Sequence, residues 1–288
     1  MMSYLGHLAI LIIIYSILAV SLDLAVGRGG ILNLGHIAFF GIGAYTSTLL
    51  VMNSVPFLLG LLGAGFLAGI TGFILALPTA RLSGDYLAVA TLGFGFIVES
   101  LMRNLSVTRG ALGIPGIPKP SLLGMEIASN FSYLVFASAI AGVSLFVMHR
   151  LMHSHYGRLV EAIRDDKTAA KSLGVSTLSV TSLTLFIAAF FAGIAGSLYA
   201  HYITFIAPGM FNLHELIFVF SIIIVGGLAS FRGAIVGAII MTLLPEPLRF
   251  IGLPSSIIGP ARQMLFAILL LSIIYFKPKG LFGQVELE

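Results

Sequence analysis

The sequence predicts an all-α fold, a polytopic bundle of about 8–10 transmembrane helices that forms one membrane domain over residues 1–288. The mean hydropathy is +1.09. Only 9% of the residues are charged, whereas soluble domains have about a quarter. Apolar runs repeatedly approach the ~20 residues that a helix needs to cross a ~30 Å hydrocarbon core. These runs lack the polar–apolar alternation of a transmembrane barrel, so helices are predicted.

Apolar runs bounded by charged or turn residues are the candidate spans. They lie at 4–22, 34–53, 56–80, 86–104, 131–149, 180–205, 216–231, 233–250 and 262–277. The first run lacks a basic leading region and a small-residue cleavage site, so it is expected to be a retained helix. The runs between 216 and 250 are short, and broken or re-entrant helices are an alternative there.

Basic residues orient the predicted helices, because they concentrate in cytoplasmic loops. If the loop at 150–180 is cytoplasmic, ten basic residues fall inside and five outside. The inside group is Arg28, Arg81, Arg150, Arg158, Arg164, Lys167, Lys171, Arg232, Lys277 and Lys279, and the outside group is Arg103, Arg109, Lys119, Arg249 and Arg262. This predicts an external N-terminus and a cytoplasmic C-terminus.

Several classes of chemistry have no residues to support them in this chain. Without cysteine, disulfides, thiolate metal sites and cysteine nucleophiles are excluded. The sequence also lacks the P-loop pattern G-x-x-x-x-G-K-[ST], as well as G-x-S-x-G and H-E-x-x-H. We therefore expect no catalytic residue, metal site or ATP-binding site in this chain.

A charged segment at 157–176 interrupts the apolar sequence. Seven charged residues lie between Arg158 and Lys171, which predicts a water-facing helix. Gly174 is placed to end that helix. Arg158, Glu161 and Arg164 have the spacing for mutual support, and the expected apolar stripe is Leu159, Ile163, Ala170 and Leu173. The helix is either a solvated connector or a docking element for a cytoplasmic partner, to which the small Ala169 and Ala170 would permit close approach.

A glycine-rich segment at 27–45 carries polar residues at the predicted membrane boundary. Asn33 and His36 either line a polar pathway or form hydrogen bonds to neighbouring helices. Two acidic residues are expected in local pairs, Glu99 with Arg103 on one helix and Asp23 with Arg28 at the end of the first span. The small-residue motifs at 65–69 and 233–237 favour close helix packing.

Six segments resemble the permeases of bacterial ABC importers for branched-chain amino acids, and most closely the second of the two permeases that pair in such systems. They are "LNLGHIAFFGIGAYTS" (32–47), "GDYLAVATLGFGFIVESLMRN" (84–104), "AIRDDKTAAKSLGV" (162–175), "FFAGIAGSLYAHY" (190–202), "VGGLASFRGAIVGAIIMTLLPEPLR" (225–249) and "FKPKGLFG" (276–283). Because they follow the expected order over almost the whole chain, the resemblance is specific.

The resemblance implies a bacterial inner-membrane complex. Its partners would be a second, homologous permease, two ATPases that hold ATP and Mg²⁺, and a periplasmic or lipid-anchored binding protein. Membrane lipids surround it, and nucleic acid is not expected to bind. Leucine, isoleucine and valine are the first expected substrates, and urea, short amides and other amino acids are the alternatives.

The resemblance also implies roles for particular residues. Many importer permeases carry E-A-A-x-x-x-G in the helix that couples to the ATPases, and here Thr168 stands at the glutamate position. The expected coupling residues are Glu161, Arg164, Asp165, Thr168, Ala169, Ala170 and Gly174, with Arg164 and Asp165 foremost. The expected pathway residues are Asn33, His36, Tyr45, Thr91, Gly93, Gly95 and Glu99. The external loop at 105–130, with Arg109 in place of a glycine of the relatives and with Lys119, is expected to meet the binding protein.

Two rival functions stay open at this point. An ion-coupled secondary carrier would need acidic residues in the middle of its spans, and no pair of them recurs there. The second rival is a passive channel or a non-transport membrane scaffold, for which uptake would be insensitive to ATP depletion.

Overall fold

A computed structural model describes residues 2–79, 82, 84–122, 125–127, 129–250 and 255–283. Arg81, one of the residues predicted to face the cytoplasm, lies outside these ranges. The helices are α1 (Met2–Asp23), continued by a π-helix (Leu24–Arg28), α2 (His36–Met52), α3 (Phe57–Thr79), α4 (Gly84–Asn104), α5 (Asn130–Met152), α6 (His155–Asp165), α7 (Lys167–Ser172), α8 (Thr177–Ile203), α9 (Leu213–Gly226), α10 (Phe231–Leu243), α11 (Glu246–Phe250) and α12 (Ser255–Phe276). Short strands are β1 (Ile114–Pro115), β2 (Ser121–Leu122), β3 (Met125–Glu126) and β4 (Phe205–Ile206).

The predicted all-α membrane bundle is confirmed. Within the described ranges, eight helices are long and apolar enough to cross a membrane, and α2 is a shorter apolar helix. The 17 residues of α2 follow the turn at 29–35, which is hydrogen-bonded to the interior of α4.

The predicted span at 233–250 corresponds to the candidate membrane span Phe231–Leu248, and it is broken, which is the alternative that the sequence left open. Helix α10 ends at Leu243 and α11 begins at Glu246. Pro245 and Pro247 explain the break, because proline lacks the amide proton that a continuous helix needs. With 14 and 13 residues, α9 and α10 are each only about 20 Å long. They form a hairpin whose tip is 227–230.

The bundle has two ends that differ in their connections. We call one the loop face: β1 pairs with β4 there, so the loop at 105–122 covers the end of α8. We call the other the elbow face, and it gathers the π-helix, the segment 152–177, the hairpin tip and residues 277–283. His7 Nδ1 lies 2.7 Å from Tyr202 Oη at the loop face, and the Leu281 amide donates to the Val225 carbonyl at the elbow face. The first and the last described segments of the chain therefore lie on opposite faces.

Helices α2, α3 and α8 form the most closely packed part of the bundle, and glycines permit it. A Cβ on Gly43 would overlap the backbone of Gly193, and one on Gly196 would overlap the Phe40 carbonyl oxygen. In the predicted small-residue motif at 65–69, Gly65 and Gly69 lie against the rings of Phe190 and Phe186. Close approach of this kind compensates for the weak hydrophobic driving force between helices in lipid.

We expect Gly196→Ala to lower the free energy of unfolding by about 1–3 kcal/mol, because the added methyl group must push α2 away from α8. Thermal unfolding in detergent micelles measures this loss. Gly142→Ala on α5 is the matched control, since a Cβ there meets no atom within 4 Å. Equal stability of the two variants would contradict the packing role of Gly196.

Candidate functional site

The charged segment forms a bent pair of helices on the elbow face, which we call the elbow (His155–Ser172). Ser154 caps α6, accepting from the Gly157 amide at 3.4 Å. The bend is at Asp166, whose backbone is extended with φ −152° and ψ 102°. Its carboxylate accepts from the amides of Thr168 at 2.8 Å and Ala169 at 2.9 Å. The single predicted helix is therefore wrong: Asp166 ends α6 and provides the N-cap of α7.

Of two further predictions about this segment, one is half right and one is wrong. In the predicted apolar stripe Ile163 and Ala170 are buried, whereas Leu159 is 39% and Leu173 85% exposed. The expected ion pairs of Glu161 with Arg158 and Arg164 along the helix are also not formed. Arg158 donates instead to His155 Nδ1 at 2.7 Å. Glu161 pairs with Arg28, and Arg164 donates to the Gly27 carbonyl.

Arg28, in the π-helix, is the main partner of the elbow. Its side chain is 8% exposed, and Nη1 lies 2.7 Å from Oε1 of Glu161, which is 33% exposed. The same nitrogen donates to the Met152 carbonyl at 3.2 Å. A buried guanidinium needs a counter-charge, and Glu161 supplies it. The expected Asp23–Arg28 pair is not among the ion pairs of the described residues.

Arg164 and Asp165 are paired with each other but differ in their exposure to solvent. Arg164 Nη1 donates to the Gly27 carbonyl at 3.1 Å, and its side chain packs over Gly30, where a Cβ would lie 2.7 Å from Arg164 Cγ. Arg164 also forms an ion pair of 2.8 Å with Asp165, whose side chain is 67% exposed. Thus Arg164 holds the elbow to the π-helix, while Asp165 presents its carboxylate to solvent.

The π-helix is bonded on its other side to the α9–α10 hairpin. Asp23 Oδ1 accepts from the Ala229 amide at 2.8 Å, and Ala229 has a left-handed φ of +58°. Asp23 Oδ2 is buried without a hydrogen-bond partner in the described part of the chain. The Phe282 amide donates to the Gly226 carbonyl at 2.9 Å, which adds residues 277–283 to this assembly. We call the contact of elbow, π-helix and hairpin tip the junction.

Tyr156 provides a separate attachment of the elbow, to α8. Its hydroxyl donates to the Val180 carbonyl at 3.1 Å and lies 2.9 Å from Thr184 Oγ1. Burial raises the pKa of Tyr156 to about 12. The phenol is therefore neutral at physiological pH and is available as a donor.

The residues at 168–174, which correspond to the E-A-A-x-x-x-G motif, are partly buried and partly exposed. Ala170 is 4% exposed and packs inward, whereas Thr168 and Ala169 are exposed. Gly174, with φ +85°, ends the segment in a conformation that favours glycine, as predicted from the sequence. The exposed outer side of α7 is thus small and partly apolar, next to Leu173. Contact of these residues with an ATPase stays a prediction.

Three predicted pathway residues are buried and hydrogen-bonded within the chain. Asn33, His36 and Thr91 are at most 1% exposed. His36 Nε2 lies 3.0 Å from Ser21 Oγ, and Asn33 Oδ1 accepts from the Gly35 amide at 3.1 Å. Thr91 Oγ1 accepts from the Leu34 amide at 3.0 Å. These bonds fix the turn before α2 between α1 and α4, and the pathway role of the three residues stays a prediction.

The other pathway candidates differ in their surroundings. Tyr45 is 3% exposed, and its hydroxyl has no hydrogen-bond partner among the described residues. A Cβ on Gly93 would meet nothing within 4 Å, and one on Gly95 would lie 3.6 Å from the Gly35 Cα. Glu99 forms the predicted pair with Arg103 at 2.7 Å.

Three polar contacts between distant segments were not predicted from the sequence. Ser47 Oγ lies 2.9 Å from His201 Nε2, and His201 Nδ1 lies 2.7 Å from the Pro118 carbonyl oxygen. Tyr15 donates to Glu215 Oε1 at 2.5 Å, although the residues are 200 positions apart. The only sequence signal was a polar residue in each apolar run, which does not identify the partner.

The loop at 105–130 contains no long helix in its described part, because its prolines and glycines disfavour one. It has one 3₁₀ turn, Gly110–Leu112, and the Ile117 amide donates to the Thr204 carbonyl at 3.1 Å. Arg109 and Lys119 are exposed. Arg109 has φ +58°, a left-handed conformation that suits the glycine expected there from the resemblance. Its binding role stays a prediction.

Comparisons with known proteins agree with this architecture. Residues 4–275 match the family described as "Branched-chain amino acid transport system / permease component". The chain is 38% identical to the high-affinity branched-chain amino acid transport system permease protein LivM of Escherichia coli, over 95% of this chain and 69% of the relative. It is 27% identical to the probable branched-chain amino acid transport permease protein LivM of Methanocaldococcus jannaschii, over 90% and 82% of the two chains.

A more distant relative is the permease protein LivH of the corresponding system in Salmonella typhimurium, at 24% identity over 95% of this chain and 92% of the relative. No solved structure gives a significant match. Together, the match over nearly the whole length and the polytopic helical bundle show that the chain belongs to the branched-chain amino acid transport permease family.

Proposed function

We propose that this chain is the membrane-spanning permease subunit of an ATP-driven ABC importer that translocates leucine, isoleucine, valine or related small amino acids and amides. The main support for this proposal is the family match over residues 4–275. The relatives are named as permease proteins of high-affinity branched-chain amino acid transport systems. The elbow supplies the mechanical part of the proposal, because it is a capped, water-facing element bonded to the membrane helices.

In the proposed complex, a second permease of the same family and two ATPases surround the chain, and a binding protein delivers the solute. The ATPases hold ATP and Mg²⁺, and this chain contributes no catalytic residue. The elbow face lies in the cytoplasm and the loop face lies outside, so the N-terminus is external and the C-terminus cytoplasmic. The charge bias of the sequence supports this orientation.

Within this arrangement the elbow has an outer and an inner part. The outer residues Asp165, Thr168, Ala169 and Leu173, which are exposed, meet an ATPase. Arg164 and Glu161 act from the inner side, where they transmit movement of the elbow to the π-helix. ATP-driven closure then shifts the permease between outward- and inward-open states. Among the pathway candidates Tyr45 is foremost, because its buried hydroxyl offers a hydrogen bond to a passing solute.

Asp165→Ala is expected to lower ATP-dependent uptake of labelled leucine about fivefold or more, with little change in stability, since the side chain is 67% exposed. The measurement uses liposomes that contain the chain with its genomic neighbours and a candidate binding protein. Asp85→Ala is the control, because it removes an exposed carboxylate at the start of α4, outside the elbow and the junction.

Other outcomes point to other functions. Uptake that follows an ion gradient without any ATPase would replace the proposal by a secondary carrier. Uptake that is insensitive to ATP depletion would indicate a passive channel. Wild-type uptake by Asp165→Ala, together with normal assembly, would remove this residue from the coupling surface and leave the importer function intact.

A further inference from the structure

The end of α5 and the start of α6 form a groove of about 650 Å³ on the elbow face. None of its lining residues forms the hydrogen bonds that were described for the junction. Met148 and Met152 on the inner side of α5 are buried, whereas Phe146 is 65% and Val147 39% exposed. Phe146, Val147 and Leu151 line the apolar part of the groove. This apolar wall continues the surface that α5 presents to the acyl chains of the bilayer.

The other part of the groove is lined by basic side chains. Arg150, His153, His155 and Arg158 line it, and the lining contains no aspartate or glutamate. In the described part of the chain, the ion pairs do not include Arg150 or Arg158. Their charge is therefore not neutralised by a carboxylate among the residues that the structure describes.

The contact between Arg158 and His155 orients N–H donors in the groove that suit an anion. Arg158 Nη2 lies 2.7 Å from His155 Nδ1. A guanidinium is only a donor, so the imidazole accepts on Nδ1 and carries its proton on Nε2. The pair thus holds the guanidinium of Arg158 in place and keeps a further N–H donor beside it.

We propose that this groove binds an anionic phospholipid, with the phosphate between Arg150 and Arg158 and an acyl chain along Phe146 and Val147. Basic residues at the membrane boundary attract anionic headgroups, and the apolar wall supplies a surface that a soluble anion cannot use. A protein partner would need acidic groups and would also have to displace lipid from Phe146. The combination of uncompensated charge and a lipid-facing wall therefore favours a lipid as the occupant. This inference does not depend on the identity of the transported solute.

The test is a lipid titration of the full-length chain in neutral detergent, read by native mass spectrometry. We expect phosphatidylglycerol to bind more tightly than phosphatidylcholine. The double variant Arg150→Ala/Arg158→Ala is expected to weaken phosphatidylglycerol binding about tenfold to thirtyfold, and to leave phosphatidylcholine binding unchanged. Arg150→Lys/Arg158→Lys keeps the charge and is expected to retain most of the binding. Lys277→Ala removes a charge on the same face outside the groove and is the control.

Each other outcome contradicts the proposal. Equal binding of the two lipids, or unchanged phosphatidylglycerol binding in the alanine double variant, would exclude a specific headgroup site. Displacement of phosphatidylglycerol by millimolar inorganic phosphate would indicate a site for a soluble anion. Loss of phosphatidylglycerol from the assembled complex, with the groove protected from chemical labelling, would identify a protein partner as the occupant. If the alanine double variant does not fold, the lysine variant with the added change Phe146→Ser tests the acyl-chain wall instead.

Discussion

Glu161→Ala is expected to lower ATP-dependent uptake about tenfold and to lower the free energy of unfolding by about 2–3 kcal/mol. The reason is Arg28, whose side chain is 8% exposed and whose only carboxylate within the described ion pairs is that of Glu161, 2.7 Å away. The variant leaves this guanidinium buried without a counter-charge. It also disconnects α6 from the π-helix, so that movement of the elbow reaches the membrane helices less effectively. Uptake in liposomes and thermal unfolding measure the two effects.

A double-mutant cycle separates the stability effect from the transport effect. Arg28→Ala/Glu161→Ala removes both charges, so it is expected to recover part of the stability lost in Glu161→Ala. Uptake is expected to stay low in the double variant, because the connection is still missing. If uptake recovers together with stability, Glu161 has only a structural role. Glu161→Gln, which keeps an acceptor for Arg28, is expected to lie between the wild type and Glu161→Ala.

Local patterns predicted the parts of this protein that depend on residues close in sequence. The spans followed from hydropathy, because a helix in lipid must satisfy its own backbone and show an apolar surface. The Glu99–Arg103 pair followed from the i, i+4 spacing. Gly174 was correctly placed at the end of the charged segment, where the backbone turns with φ +85°.

Contacts between distant segments could not be predicted in this way. Arg28 and Glu161 are 133 positions apart, and Asp23 and Ala229 are 206 apart. The sequence placed Asp23 next to Arg28 because they are neighbours on one span. In the structure, the hairpin tip offers Asp23 a backbone amide and the elbow offers Arg28 a carboxylate, so the two charges separate. The bend at Asp166 was missed because helix periodicity does not reveal when an aspartate caps a new helix.

Gly27→Ala is expected to lower the free energy of unfolding by about 1–3 kcal/mol and to lower ATP-dependent uptake about tenfold or more. A Cβ on Gly27 would overlap Asp23 Oδ1 and the Ala229 amide nitrogen. These are the two atoms that join the π-helix to the hairpin tip, and both belong to groups with little freedom to move. The Gly27 carbonyl also accepts from Arg164 at 3.1 Å, so displacement of this residue disturbs both sides of the junction.

The matched control for this prediction is Gly142→Ala, because it adds the same methyl group at a position with no atom within 4 Å. It should keep wild-type uptake and stability. Gly196→Ala is a second comparison, since it disturbs the packing of α2 against α8 at a distance from the junction. If Gly27→Ala loses more uptake than Gly196→Ala at equal loss of stability, the junction transmits the movement of the elbow. If the two variants lose uptake in proportion to stability alone, the junction is a packing contact and the coupling route lies elsewhere in the chain.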